Sequence, residues 1–262
     1  MTERHPIIFL GAGPGDPELI TVKGMKALSR AEVVLYAGSL VSPAVLTWAP
    51  PGAALVDTAP LALEEIIARL VEAHRAGKRI VRVQSGDTSL FSAMQEQLEL
   101  LEEAGIPCQV IPGVTAAAAA AASLGQELTL PEGTQTTQTV ILTRAAGRTP
   151  VPERENLPAL AATGATLVIY LSVQLLEQVV ADLAKVYHRE TPVVVAYRVS
   201  WPEEHLIRGT LGDIAAKVRE ANITRQALIM VGPALAAWAG RLPARSRLYD
   251  RTFAHGWRDA AD

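Results

Sequence analysis

Residues 6–10 form a short apolar run that ends in the glycines of GAGPGD, and an apolar stripe at helical spacing follows from about Thr21 to Arg30. The order is strand, loop, helix. It recurs along the first half of the chain. Apolar runs at 33–36, 80–83 and 109–111 read as strands, and the stretches 63–76 and 89–104 between them carry helical periodicity. Strands alternating with helices predict a mostly parallel sheet with covered faces. Gly105, Ile106 and Pro107 end a helix and open the next strand, and Pro112 with Gly113 turns the chain into an alanine-rich helix that closes near Leu124.

The segment GQELTLPEGTQTTQ is polar, contains Pro131 and lacks helical spacing, so it predicts a boundary. The expected organisation is an N-terminal lobe over 1–125, a linker over 126–138, a C-terminal lobe over 139–245 and a tail over 246–262. Strands are expected in the second lobe at 140–143, 166–171, 193–197, 205–209 and 227–231, with helices around 174–187 and 211–220. The close spacing of 193–197 and 205–209 predicts a hairpin-like pair and therefore a mixed sheet. The fold class is α/β in two lobes, the first sheet mostly parallel and the second mixed.

Composition narrows the function. A chain of 262 residues that is 49% hydrophobic can bury a substantial core. A net charge of −3 gives no general attraction to nucleic acid or to an anionic membrane. The single cysteine, Cys108, excludes an intrachain disulfide and reads as a small buried hydrophobe. The alanine run at 116–122 is far shorter than the roughly 20 apolar residues that span a bilayer, and MTERHPIIFLG is too short for a secretory signal. The expectation is a cytoplasmic protein. The histidines show no HxxxH spacing and no CxxC motif exists, so no metal is expected.

Gly11, Gly13 and Gly15 invite a dinucleotide-binding reading, which fails on two counts. The third glycine of that fingerprint would fall where Asp16 stands, and a carboxylate aimed at a pyrophosphate is repelled. The second strand also runs into Tyr36, Ala37 and Gly38 and supplies no acid for a ribose.

GAGPGDPELITVKG at 11–24, SGDTSLFSA at 85–93 and IPGVTAAAAAAA from Ile111 resemble the successive signatures of the tetrapyrrole methyltransferase family. The resemblance continues through IYLSV at 169–173, PVVVAYRVSWPEE at 192–204 and TRQALIMVG at 224–232, and so covers almost the whole chain. YAGSLVS at 36–42, AYRVSWPEE and the closing SRLYDRTFAHGWR are similar to the branch that methylates C11 of precorrin-4 or cobalt-precorrin-4; the runner-up branch acts on uroporphyrinogen III. One departure is Thr88, where the family usually has proline after Gly86 and Asp87. That loses proline's fixed φ but restores a backbone N–H.

The resemblance implies that S-adenosylmethionine is held largely by backbone groups in a cleft between the lobes, with S-adenosylhomocysteine as product. The cofactor positions it implies are Pro14, Ser85, Gly86, Asp87, Leu90, Thr115, Ala116, Leu171, Val199 and Ala227. The residue types suit this: Gly86 permits close approach, Ala116 leaves room, and Leu171 and Ala227 offer main-chain groups beside an apolar wall. Thr115 equally suits a helix N-cap, and Asp87 equally suits a solvated turn. Asp16, Asp87 and Tyr197 are the candidates for handling protons or orienting ligands, and Arg144 and Arg198 for meeting the carboxylates of a tetrapyrrole substrate. No GxSxG nucleophile is present. A homodimer is also implied. The alternative of a different class is a non-catalytic tetrapyrrole carrier, against which the Gly86–Asp87 and Thr115–Ala116 elements argue.

Overall fold

The computed structural model describes residues 5–130, 137–235 and 250–259. Residues 131–136 of the expected linker, and 246–249 and 260–262 of the expected tail, lie outside the described residues. The chain folds as two compact units, Met1–Ala119 with Val199–Pro202, and Ala120–Arg198 with Glu203–Asp262.

The first unit runs β1 (Ile7–Gly11), α1 (Val22–Leu28), β2 (Val33–Tyr36), α2 (Pro43–Leu46), β3 (Ala54–Asp57), α3 (Leu63–Arg75), β4 (Ile80–Gln84), α4 (Met94–Glu103) and β5 (Cys108–Ile111). Helix α5 (Ala116–Leu124) follows and carries the chain across the division between the units. The strands pair in the order β3-β2-β4-β1-β5, and every pair is parallel. The expected mostly parallel sheet is thus wholly parallel.

Strand β1 shows why such strands read as unbroken apolar runs. Ile7 and Phe9 pack on one face with Leu35, Ile80, Ile66 and Leu70. Leu10 packs on the other with Val34, Val81 and Val83. Thr21 caps α1 by accepting from the Gly24 N–H at 3.1 Å. Ala62 precedes α3, and the Glu65 carboxylate reaches back to accept from its N–H at 2.8 Å. Helix α4 starts at Met94, five residues later than its spacing suggests, because Phe91 and Ala93 are left-handed (φ 52 and 50) and no helix runs through them.

The second unit runs β6 (Val140–Arg144), α6 (Leu157–Ala161), β7 (Thr166–Tyr170), α7 (Leu176–Leu183), β8 (Pro192–Tyr197), β9 (His205–Thr210), α8 (Ile214–Glu220) and β10 (Ala227–Val231). The order is β6-β7-β10-β8-β9. β6 and β7 are parallel and the remaining pairs antiparallel, including the expected β8–β9 hairpin. Leu167, Ile169, Val193, Val195, Ile229 and Val231 share a buried core with side chains of α6, α7 and α8. Each fully buried aliphatic side chain there contributes roughly 1.5–3 kcal/mol. Helices α7 and α8 are shorter than expected. A separate 3₁₀ turn at Val173–Leu175 precedes α7, and before α8 the Asp213 carboxylate accepts from the Thr210 N–H, which folds 210–213 as a turn. Among the described residues no helix is long and apolar enough to cross a membrane.

Candidate active site

Loops at the carboxyl ends of three adjacent strands, β4, β1 and β5, meet in the first unit. This is where open parallel sheets bind ligands. The Gly13 N–H donates to the Gly86 carbonyl at 3.1 Å, and the Gly86 N–H donates back to Gly13 at 2.8 Å. Gly86 takes φ +66, where a side chain would be strained, yet a Cβ there would meet nothing nearer than 3.9 Å. The space above its backbone is open, as the close approach of a ligand requires.

Asp87 ties this loop to the next. Its Oδ2 accepts from the Gly113 N–H at 2.8 Å, and its Oδ1 accepts from the Ser89 N–H at 2.9 Å and from the Ser89 hydroxyl. Partial burial pushes its pKa up, but the Ser89 hydroxyl and the two N–H donors outweigh that and hold it below the ordinary carboxylate value. Asp87 is therefore an ionised acceptor at neutral pH. Thr88 is buried, and its carbonyl accepts from the Ser92 hydroxyl. Leu90 closes the turn with a long 3.4 Å bond to the Asp87 carbonyl, and Ser85 begins it, directly after β4. Thr115 and Ala116 stand at the start of α5.

Asp16 and Pro14 lie on the glycine loop after β1. The Asp16 Oδ1 accepts from the Glu18 N–H at 2.8 Å and caps a 3₁₀ turn, while its own N–H donates to the Ser200 hydroxyl at 3.0 Å. The Pro14 carbonyl accepts from the Trp201 indole at 2.8 Å. A Cβ on Gly15 would collide with the Trp201 ring. This glycine therefore serves packing by the strap Val199–Pro202, which also brings the buried Val199 into the first unit.

In the second unit Arg144, Leu171, Tyr197, Arg198 and Ala227 gather at one end of the sheet. Arg144 pairs with Tyr170, and Tyr197 with Ala227. Leu171 is left-handed (φ 55) and 67% exposed, an unusual state for a leucine. The next residue, Ser172, is buried; it donates to the Tyr170 carbonyl at 2.6 Å and accepts from the Ala145 N–H at 2.8 Å, which ties the backbone on both sides of Leu171. Arg144 donates to the carbonyls of Thr149 at 3.0 Å and Pro150 at 2.6 Å, so its fork braces its own loop. Arg198 donates from Nε to the Gln226 amide oxygen at 2.7 Å, pairs with Glu203 at 3.6 Å and lies over the Tyr197 ring. Both Arg198 and Gln226 are left-handed. Cys108, half-buried, has its thiol pKa raised by desolvation, as suits a packing residue.

Ser172, Ser200, Trp201 and Gln226 stand inside the sequence motifs, but their roles escape a reading of the sequence, because Ala145, Asp16, Pro14 and Arg198, which they bind, are distant in the chain. Arg82 and Gln97 left a trace: one interrupts the apolar run IVRV, and the other stands with Met94, Leu98 and Leu101 at the apolar spacing of α4.

A wholly parallel unit whose strand-end loops converge, followed by a unit with a mixed sheet, defines a two-unit α/β protein. Residues 6–215 match the Tetrapyrrole (Corrin/Porphyrin) Methylases, and the chain belongs to that family of methyltransferases. Among its relatives, the precorrin-4 C(11)-methyltransferase of Sinorhizobium sp is 49% identical over 95% of this chain and 97% of its own length. The X-ray structure of a cobalt precorrin-4 methyltransferase superposes with a TM-score of 0.84 at 45% identity, covering 87% of this chain and 95% of that one. A uroporphyrin-III C-methyltransferase from Thermus thermophilus, solved with S-adenosyl homocysteine, gives 0.72 at 27% identity, covering 89% of this chain and 100% of that one.

Proposed function

We propose that the chain transfers a methyl group from S-adenosylmethionine to C11 of precorrin-4, or of its cobalt-containing counterpart, to give precorrin-5 in cobalamin biosynthesis. The observation that carries this reading is the 49% identity, along nearly the full length of both chains, to a precorrin-4 C(11)-methyltransferase. The lower identity to the uroporphyrin-III enzyme, 27%, ranks that substrate second. The reading also takes the protein to be a cytoplasmic homodimer; light scattering of the purified protein tests the dimer.

The residues fit the cofactor. Gly86 offers open space over a fixed backbone, and Asp87 is ionised and anchored. When bound, S-adenosylmethionine supplies an activated methyl with a neutral thioether as leaving group. What remains for the protein is alignment, which can be worth roughly 7–11 kcal/mol of the barrier. In the first unit the candidates to hold the cofactor are Pro14, Ser85–Asp87, Leu90, Thr115, Ala116 and Val199. In the second they are Leu171 and Ala227. Asp16 keeps an Oδ2 outside its capping bond and is the candidate to orient the substrate or take a proton. Tyr197 lines the end of β8, and Arg198, held over it, is the candidate to meet a substrate carboxylate.

The test is mass spectrometry of the product formed from methyl-labelled cofactor with precorrin-4, cobalt-precorrin-4 or uroporphyrinogen III. One labelled methyl at C11 of a precorrin-4 form is expected. Labelling of uroporphyrinogen III alone would overturn the assignment.

A further inference from the structure

Arg82 lies in the middle of β4, the central strand of its sheet, and is 5% exposed. Desolvation brings its pKa down to about 10, so it stays charged at neutral pH. Among the described residues no carboxylate pairs with it. A buried cation without a counter-ion is costly and is kept only by its hydrogen bonds. Its Nε donates to the Gln97 amide oxygen at 3.1 Å, and an Nη donates to the Thr58 hydroxyl at 3.2 Å.

Those bonds lead to the Gly86–Ala93 loop. The Gln97 amide, buried as well, donates to the Ala93 carbonyl at 3.1 Å. The Gln84 amide, two residues along β4 from Arg82, donates to the Ser92 carbonyl at 3.0 Å. Two successive carbonyls are therefore gripped, Ser92 from strand β4 and Ala93 from helix α4. The grip falls where two left-handed residues, Phe91 and Ala93, make the loop unfavourable on its own. Such conformations cost of order 1–3 kcal/mol each and persist when their surroundings over-determine them.

We propose that Arg82, Gln84 and Gln97 are positioning residues for the cofactor: Arg82 aims the Gln97 amide, Gln97 and Gln84 hold Ala93 and Ser92, and the loop so fixed presents Gly86–Leu90 to S-adenosylmethionine. This rests on the cofactor reading given above. The charge on Arg82 orients Gln97, since a guanidinium takes only the amide oxygen and so turns the NH₂ toward Ala93.

The discriminating variant is Gln97→Glu. It keeps an oxygen for Arg82, now as an ion pair, and next to that cation it stays ionised, so it opposes the Ala93 carbonyl with an oxygen. The loop loses its grip while the core keeps its contact. Titration calorimetry with S-adenosylhomocysteine should show affinity reduced about tenfold, with the melting temperature no lower than wild type. Hydrogen exchange of the 89–93 amides in the unliganded protein should quicken. Arg82→Met should weaken binding in the same way, and Arg82→Lys should restore part of it. Wild-type affinity and unchanged exchange in Gln97→Glu would overturn the proposal. If the wild-type protein itself bound no S-adenosylhomocysteine, the cofactor reading would fall and this assignment with it. The exchange rates would then show separately whether the brace exists.

Discussion

Gly15 and Trp201 are far apart in the chain but form one packing unit. The indole ring lies where a side chain on Gly15 would stand, and its N–H is taken up by the Pro14 carbonyl. Gly15→Ala should therefore destabilise by about 1–3 kcal/mol through overpacking. The loss should shrink in a Trp201→Ala background, where the ring is gone. Urea unfolding of both single variants and the double variant measures the coupling, and strictly additive effects would contradict the contact. The sequence showed the glycine but not its reason, which is supplied by a residue from another element. Asp87 yields a second prediction at this scale. Its folded pKa is depressed, so its contribution to loop order is present above the ordinary value of 3.8 and fades as pH falls through the lower folded value. Wild-type binding of S-adenosylhomocysteine should thus show no titration from this group around neutrality. Asp87→Asn should weaken binding at every neutral pH, because an amide cannot accept with both atoms from Ser89 and Gly113. A wild-type affinity for Asp87→Asn would remove the carboxylate from the site.

Elements that carry a full period were legible, and those that do not were missed. Strands β1 and β2 are apolar runs, β4 is one broken by Arg82 and closed by Gln84, and all three were located nearly to the residue, as was α3 with its long buried stripe. Strand β3 is a mostly exposed edge, and its short apolar run at 54–56 was not read as a strand. Helices α2 and α6 span four and five residues, too few to show a helical stripe, although Asn156 caps α6 through a 2.9 Å bond from the Ala159 N–H. Element ends depend on single side chains. At the left-handed turn after β7 the Ser172 hydroxyl bridges two backbone groups, so Ser172→Ala leaves the Ala145 N–H without that acceptor. A loss of about 1–3 kcal/mol is expected in thermal unfolding. If Leu171 serves the cofactor, affinity for S-adenosylhomocysteine falls as well. Unchanged affinity in a destabilised Ser172→Ala protein would confine this residue to the fold.

At the scale of the whole molecule, the motifs in the sequence identify the family, while the structure adds which backbone groups they fix. The strap Val199–Pro202 belongs with the first unit although the strands on either side of it, β8 and β9, belong to the second, and no local pattern announces that. A cofactor that binds only the folded protein should stabilise it by mass action. S-adenosylhomocysteine at 100 times its Kd should add about 2.7 kcal/mol. For a chain of this size, that corresponds to a rise in melting temperature of roughly 5–10 °C. Gly86→Ala provides the control. A Cβ there meets no steric obstacle, so the variant should fold, strained by its positive φ, while its methyl occupies the space left open for the ligand. Its own melting temperature should fall modestly, and the increment from S-adenosylhomocysteine should largely disappear. An undiminished increment in Gly86→Ala would place the cofactor away from this loop and leave the convergence of the β1, β4 and β5 loops a feature of folding alone.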